Sequence, residues 1–336
     1  MSDTKVFEPT PELTDLLVRS GSSRKEESLA ASAEFAKALE LPLRQGVLSG
    51  NILDGIFEAI KLAPGATPEF PLDFLTPGNE KDFVAYTIPN HGYVPERHVE
   101  GDYVMVPTFD IGASIDYLLK YARDARWDVV GRAMEVLEQS FVKKMNDDGW
   151  HTVISAGVDR NIVVFDGDAT AGQFTKRLVS LMKTVMRRNG GGNSTSNNRG
   201  QLTDLYVSPE AMEDLRNWGV DQVDEVTRRE IYVADDGGAS VNRVFGVNLH
   251  DLDELGVDQE YQLFFTGTLG GNIGSDQELV VGLDLRKRDS FIMPIREEVQ
   301  IFEDDTLHRQ KRAGFYGYAE QGFAVLDNRR VLLGTL

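Results

Sequence analysis

The sequence predicts an α+β chain organised around one long helix, and three observations predict it. Apolar residues recur at three-and-four spacing from Ser114 to Asp147; short strand and helix signals alternate after that stretch; and a long hairpin-like pair of strand runs stands before it and another at the end of the chain.

The stripe consists of Ile115, Leu118, Leu119, Ala122, Val129, Val130, Ala133, Met134, Leu137, Phe141 and Met145, one face of a 3.6-residue helix. Ser114 is the expected N-cap, Lys143 and Lys144 suit the last turn, and Gly149 is the expected left-handed terminator. Such a helix is roughly 50 Å long at about 1.5 Å per residue, a spine for a domain. Gly131 lies in its middle, where glycine costs about 1 kcal/mol relative to alanine. Two readings follow: close packing against another backbone, or a bend.

Before the spine, residues 1–25 carry Pro9, Pro11 and a Gly-Ser-Ser run and read as an extended arm that needs a surface to lie on. Glu27–Leu41 is expected to be a helix ended by Pro42, and Asn51–Leu62 another, with Ile52, Leu53, Ile56, Phe57 and Ile60 on its face. Seven of the twelve prolines fall between Pro64 and Pro107, which excludes helix there. Phe83–Ile88 and Tyr103–Val106 read as strands of a long hairpin, too thin to be stable alone and so expected to be either disordered or held by another chain.

After the spine come expected strands at Asn161–Phe165, Leu205–Val207, Arg243–Leu249, Tyr261–Gly267 and Glu278–Leu285, and a helix at Thr175–Arg188. Ser208-Pro209-Glu210 opens a further helix with N-cap, N1 proline and first-turn acid in order. Acidic helices or turns are expected at Asp221–Ile231 and Asp251–Leu255, and a flexible loop at Asn189–Gln201. Ser290–Phe302 and Ala313–Leu326 form the closing hairpin around the turn Glu303–Lys311.

At 336 residues, with 41% hydrophobic and 26% charged, the composition supports one large core or two modest ones and no membrane span. The absence of cysteine excludes disulfides, thiol catalysis and thiolate metal sites. The start, MSDTKVFEPT, lacks the basic and apolar parts of a secretory signal. A formal charge of −19 argues against gripping nucleic acid by neutralising phosphates. The acidity is localised, with −6 on residues 63–110 and −10 on residues 148–283, while 111–147 and 284–336 are neutral.

Catalytic patterns are missing. The histidines His91, His98, His151, His250 and His308 form no helical i, i+4 pair, and the glycines from Gly267 to Gly274 match no phosphate-binding spacing. Asp166 and Asp168 follow a strand, a position that catalytic acids also take, so a carboxylate-dependent hydrolase stands as the alternative from another class. The expected reading is a non-enzyme without cofactor or metal.

The order of arm, proline-rich hairpin, spine helix, acidic α/β region and returning hairpin resembles the tailed-bacteriophage major capsid protein of the Hong Kong 97 fold. The residues that carry the resemblance are Ile88-Pro89 and Val99–Pro107 leading into the spine, Leu205–Met212, and Gly314-Phe315 to Leu326-Asp327. It implies an N-arm at 1–62, an E-loop at 63–110, a P-domain at 111–150 and 284–325, and an A-domain at 151–283 and 326–336. It also implies self-assembly into hexamers and pentamers of an icosahedral shell around a DNA genome, assembled in the host cytoplasm. The implied partners are a portal, a separate scaffolding protein because the N-terminal region is short, and a decoration protein; sequence-specific nucleic-acid binding is not implied. An encapsulin-type shell around cargo enzymes is the alternative of the same fold.

Within that frame the acidic 63–110 segment needs cations from elsewhere. Glu96, Glu100 and Asp102 are its candidate contacts, and Arg286, Arg288, Arg309 and Arg312 are the candidate cations on a neighbouring subunit. Gly131 is the candidate bend.

Overall fold

A computed structural model of the chain describes residues 10–22, 24–50, 52–72, 103–189, 200–218, 242–271, 273–274, 277–286 and 288–336. The chain divides into two compact units: residues 1–68, 105–149 and 292–323 form the first, and 69–104, 150–291 and 324–336 the second. The expected strand at Phe83–Ile88, the helix at Asp221–Ile231, most of the loop at 189–201, and His91 and His98 lie outside the described residues.

From residue 10 on, the N-terminal segment is helical, not extended. Helix α1 (Pro11–Ser20) starts with Thr10, whose hydroxyl accepts from the Leu13 amide, and places Pro11 at the position where a missing N–H costs nothing. Helix α2 (Lys25–Gly50) runs through Pro42 instead of ending there. Proline removes one rung of the ladder, but Leu39, Leu43 and Val47 on either side of it are buried, and that packing holds the helix together. The segment after it is a short 3₁₀ turn (Ile52–Gly55) and strand β1 (Glu58–Lys61), not a helix. Strands β2 (Glu69–Pro71) and β3 (Tyr103–Met105) pair as a two-stranded ribbon.

The expected spine begins thirteen residues late, because its first five residues belong to strand β4 (Phe109–Leu118) and the next five to a separate short helix. Ile111 and Tyr117 are buried, with Ala113 and Ile115 between them on the same inward face, a two-residue period. Ser114 is therefore a strand residue, not a cap. After the five-residue helix α3 (Leu119–Arg123), Ala125 takes a left-handed conformation and breaks the path. Helix α4 then runs from Trp127 to Val158, about 48 Å. It passes through Gly149, where an added Cβ would lie 2.1 Å from Leu53 Cδ1, so this glycine permits close packing and does not end the helix. Asn161, at φ 51°, is the left-handed residue that follows its end.

In the first unit, strand β10 (Phe291–Glu303) is parallel to β1 and antiparallel to β11 (Arg312–Gln321), and β11 pairs with β4 from Arg312↔Leu118 to Gln321↔Phe109. The closing hairpin is as the sequence predicts, with Lys311 left-handed before β11. One sheet face carries Phe315, Ala313 and Ile301 and packs on Phe35, Leu39, Val130, Met134, Leu137 and Phe141 of α2 and α4.

The second unit holds β5 (Val163–Phe165), α5 (Lys176–Asn189), β6 (Asp204–Val207), α6 (Pro209–Asn217), β7 (Asn242–Val244) and β8 (Val247–Asp251). Beyond these lie the short helix α7 (Glu260–Leu263), β9 (Leu279–Leu283), β12 (Ala324–Val325) and β13 (Val331–Thr335). The sheet order is β5-β13-β9-β6-β8-β7. The run expected as one strand at Arg243–Leu249 is a tight hairpin, because Phe245 and Gly246 both take positive φ. Tyr261–Gly267 is not a strand: α7 continues into a π-helical turn, Phe264–Thr268. Leu205 and Val207 join Leu178, Met182 and Leu215 in one core, while Trp150 of α4 meets the Tyr206 ring edge-on at 4.7 Å.

Candidate assembly surfaces

Among the described residues, no α-helix of the first unit packs on the second face of its sheet. Arg312, Tyr316, Tyr318 and Glu320 of β11 alternate with the buried residues, and Phe302 of β10 stacks on Tyr316 at 5.6 Å and Tyr318 at 5.2 Å. An aromatic strip on a solvent face covers apolar area only when something lies on it. Charge pairs border it. Arg312 reaches Asp116 of β4 at 2.8 Å, and Arg296 reaches Glu320 at 3.4 Å. Glu298 receives Arg44 of α2 at 2.6 Å and Lys61 of β1; the Lys61 hydrogen bond first, then the charges of Arg44 and Lys61, hold its carboxyl below the usual range against partial burial.

A second surface flanks the segment 73–102. Tyr103, Met105 and Phe109 are 69%, 64% and 63% exposed, large apolar side chains in seven residues of chain. Beside Met105 lies a cavity of about 520 Å³ walled by Leu62, Pro64, Pro68 and Arg296. The Val106 amide donates to the Pro68 carbonyl at 2.9 Å, next to the paired strands β2 and β3.

The sequence-predicted residues are distributed as follows. Glu96, Glu100 and Asp102 lie outside the described residues, and for Arg288 only the backbone is described. Arg309 is exposed in the short turn before β11. Arg286 and Arg312 belong to different units, and each already has an acid: Arg312 has Asp116, and Arg286 grips Asp284 through Nε at 3.0 Å and Nη2 at 2.9 Å. Gly131 is buried, and an added Cβ would lie 3.2 Å from Trp127 Nε1 of its own helix, not against another backbone.

Sequence reasoning missed Asp284. Its carboxylate is fully buried and also accepts from the Gln201 amide at 2.9 Å and from Arg330 Nη1 at 2.7 Å. Burial alone would raise its pKa; the hydrogen bonds from Arg286 and Gln201 and the charges of Arg330 and Arg286 outweigh that and hold it low. Asp166 and Asp168, the hydrolase candidates, share Arg177, and Asp166 also accepts from Thr175 Oγ1 at 2.7 Å, so the pair closes a loop onto α5. His250 Nε2 lies 2.9 Å from Asp204 and stacks on Tyr206; His151 stacks on Phe264 at 3.9 Å. Among the described residues no three His, Asp or Glu side chains converge as metal ligands do.

No protein-family model matches the sequence, and no curated protein matches it. Solved structures do. A structure from Microbacterium phage Oxtober96 has a TM-score of 0.59 at 11% identity, covering 85% of this chain and 90% of that one. The Cyanophage Pam1 capsid asymmetric unit has 0.56 at 15% identity, covering 84% and 88%, and the head structure of Helicobacter pylori bacteriophage KHP40 has 0.51 at 11%, covering 85% and 90%. At these identities the likeness is one of fold. The chain has the α+β Hong Kong 97 fold.

Proposed function

We propose that this chain is the major capsid protein of a tailed phage, a structural protein and not an enzyme, which assembles through itself into hexamers and pentamers of a closed icosahedral shell around DNA. The observation that carries this reading is a Hong Kong 97 fold shared over 84–85% of the chain with phage capsid and head structures. The open aromatic strip on β10–β11 and the exposed Tyr103, Met105 and Phe109 support it, because each is an apolar surface that assembly would cover.

In this reading residues 1–62 are the N-arm, 63–110 the E-loop, 111–150 and 284–325 the P-domain, and 151–283 and 326–336 the A-domain. The acidic E-loop, through Glu96, Glu100 and Asp102, lies on cations of a neighbouring copy among Arg286, Arg288, Arg309 and Arg312. Gly131 is where α4 bends between shell states. The protein works in the virion after assembly in the host cytoplasm with a portal, a separate scaffolding protein and a decoration protein. An acidic inner wall lets packaged DNA slide, where a basic one would hold it.

Electron microscopy of the purified protein, alone and co-expressed with its candidate scaffold, tests the reading. Closed shells are expected. A compact monomer under every condition overturns it, and shells that hold a cargo enzyme favour the encapsulin alternative. Gly131→Ala is expected to change shell expansion; normal expansion with only altered stability removes the bend.

A further inference from the structure

The sheet of the second unit is electrically polarised along its strands. Strands β6 and β8 run parallel and β9 antiparallel to β6, so the starts of β6 and β8 share an end with the finish of β9. At that end lies a groove of about 460 Å³ walled by Ser180, Lys183, Thr184, Arg187, Gln201 and Arg286; Arg286 grips Asp284 behind the wall, Lys183 and Arg187 add two further cations, and no carboxylate stands among the described lining residues. Positions 180, 183, 184 and 187 are one face of α5. Lys183 Nζ donates to the Phe245 carbonyl in the turn entering β8, which fixes the groove at the start of that strand. Arg187 is exposed, and no described carboxylate pairs with it.

The finish of β8 has the opposite sign. Asp251, Asp253, Glu254 and Asp258 follow in eight residues with no base among them, and Asp251, Asp253 and Asp258 are exposed. The Leu252 amide donates to the Val207 carbonyl, which fixes this turn at the finish of β6. Glu278 enters β9 at the same end; burial and then the charges of Glu210 and Asp214 push its carboxyl above the usual range, although the Ser208 hydroxyl opposes them. Five residues of β8 separate the ends by at least about 13 Å, more than the Debye length of about 8 Å at physiological salt, so the two patches cannot neutralise each other within one copy.

We propose that the cationic groove of α5 receives the acidic turn 251–258 of a second copy, head to tail. This deepens the capsid reading and rests on it. A contact between two different patches of one unit is heterologous, and its repetition gives a ring when the rotation from copy to copy closes, as the capsid reading requires. The chain carries −19 overall, so copies repel at long range and a contact between them is favoured where a cationic groove meets an acidic turn.

The chain has no cysteine, which permits a direct test. Thr184→Cys in the groove wall and Val257→Cys in the turn leave every charge in place. With a short bis-maleimide the double variant is expected to give a ladder of covalent oligomers, and each single variant at least tenfold less dimer. Adding Lys183→Glu and Arg187→Glu is expected to remove the ladder at low salt, and adding Asp253→Lys and Glu254→Lys to that variant to restore it. Lys183→Gln with Arg187→Gln, checked by thermal melting, serves if the reversal fails to fold, with the same loss expected. Efficient dimers from one cysteine alone, or a ladder indifferent to charge reversal, overturn the proposal. Shells without ladders defeat the contact and leave the capsid reading standing; ladders without shells do the reverse.

Discussion

The two units use charge in opposite ways. In the first, ion pairs such as Arg312–Asp116 and Arg132–Glu135 are about half exposed, and among the described residues the sheet packs a core on one face. In the second, Asp284 is fully buried with Arg330 and Arg286 around it, and core packs on both sheet faces, with α5 and α6 against Leu205 and Val207 and Trp150 against Tyr206. A pair in water is worth about 0 to 1 kcal/mol, whereas removing one partner of a buried pair costs about 3 to 5 kcal/mol. The buried charges of the second unit, Asp284 with Arg330 and Arg286, thus belong to its fold, whereas exposed pairs such as Arg312–Asp116 in the first unit are available to a partner.

The sharpest way to break this comparison is Asp284→Asn. It takes from Arg330, 11% exposed, the nearer of its two carboxylates, leaving Asp327 at 3.6 Å, and weakens the grip on Gln201, so unfolding is expected to become about 3 to 5 kcal/mol easier in urea titration at pH 7. The pH dependence follows in sign. Because the folded pKa is lowered, the stabilisation is complete above the unfolded value of about 3.9 and is lost as pH falls through the folded pKa. The variant and the parent should converge at strongly acidic pH. A loss below about 1 kcal/mol would put Asp284 in the same category as the surface pairs.

Next in size is Gly149→Ala. The new methyl would overlap Leu53, which is fully buried, so a loss of about 1 to 3 kcal/mol is expected despite alanine's better helix propensity. Leu53→Ala costs stability by itself, but in the Gly149→Ala background its added cost should shrink, a coupling that a double-mutant cycle reads. Additive losses would mean that α4 tolerates the methyl by shifting, and that close packing is not why a glycine stands there.

These positions show what the sequence exposes and what it hides. The stripe Val130, Met134, Leu137, Phe141 and Met145 is legible because one helix face buries it. The start of α4 is not, because Ile115, Leu118 and Leu119 fit helical spacing while Ile111, Ala113, Ile115 and Tyr117 fit a strand. The ladder to β11, about two hundred residues away, decides between them. Ser208-Pro209-Glu210 is legible since a cap is made by neighbours in sequence. Tyr261–Gly267 misleads because aromatic residues favour strands in general, whereas here Tyr261 and Phe264 wrap Trp150 and His151 as a helix. At the surfaces, the clusters around Arg286 and Arg312 are visible as charge. That Asp284 and Asp116 already hold those two arginines depends on tertiary contact, which no local pattern carries.

A smaller effect is expected at Glu278. Its raised pKa means that the folded state holds the charged form unfavourably, so at pH 7 the group subtracts stability, and the subtraction disappears as pH falls through the folded pKa. Glu278→Gln keeps an oxygen for the Ser208 hydroxyl and removes the charge. It should therefore be neutral to stabilising by up to about 1 kcal/mol at pH 7, with the difference vanishing in acid. Melting curves of the two proteins between pH 7 and pH 4 check this; a variant less stable than the parent across that range would show that the hydroxyl needs a carboxylate.

The smallest expected change in stability is at Arg312, and it separates fold from assembly. Arg312 and Asp116 are diagonal neighbours across β11 and β4, Arg312 facing Leu118 and Asp116 facing Gly314; they are 47% and 42% exposed, so solvent screens most of their attraction. Arg312→Gln should shift the urea midpoint by no more than the equivalent of about 0.5 kcal/mol. Assembly is expected to respond more strongly, because the proposed acidic segment of a neighbouring copy would lose one of its cations at every contact in a shell, and repetition multiplies a small term. The expected result is an unchanged monomer melt with fewer shells at physiological salt, and a smaller difference at high salt where both proteins are screened. Reversal of Glu96, Glu100 and Asp102 to lysine should weaken assembly in the same way, and reversing Arg309 and Arg312 in that background should recover part of it. Equal shell yields from the acidic reversal and the parent, at low and high salt alike, would mean that the first unit's exposed charges only keep the protein soluble.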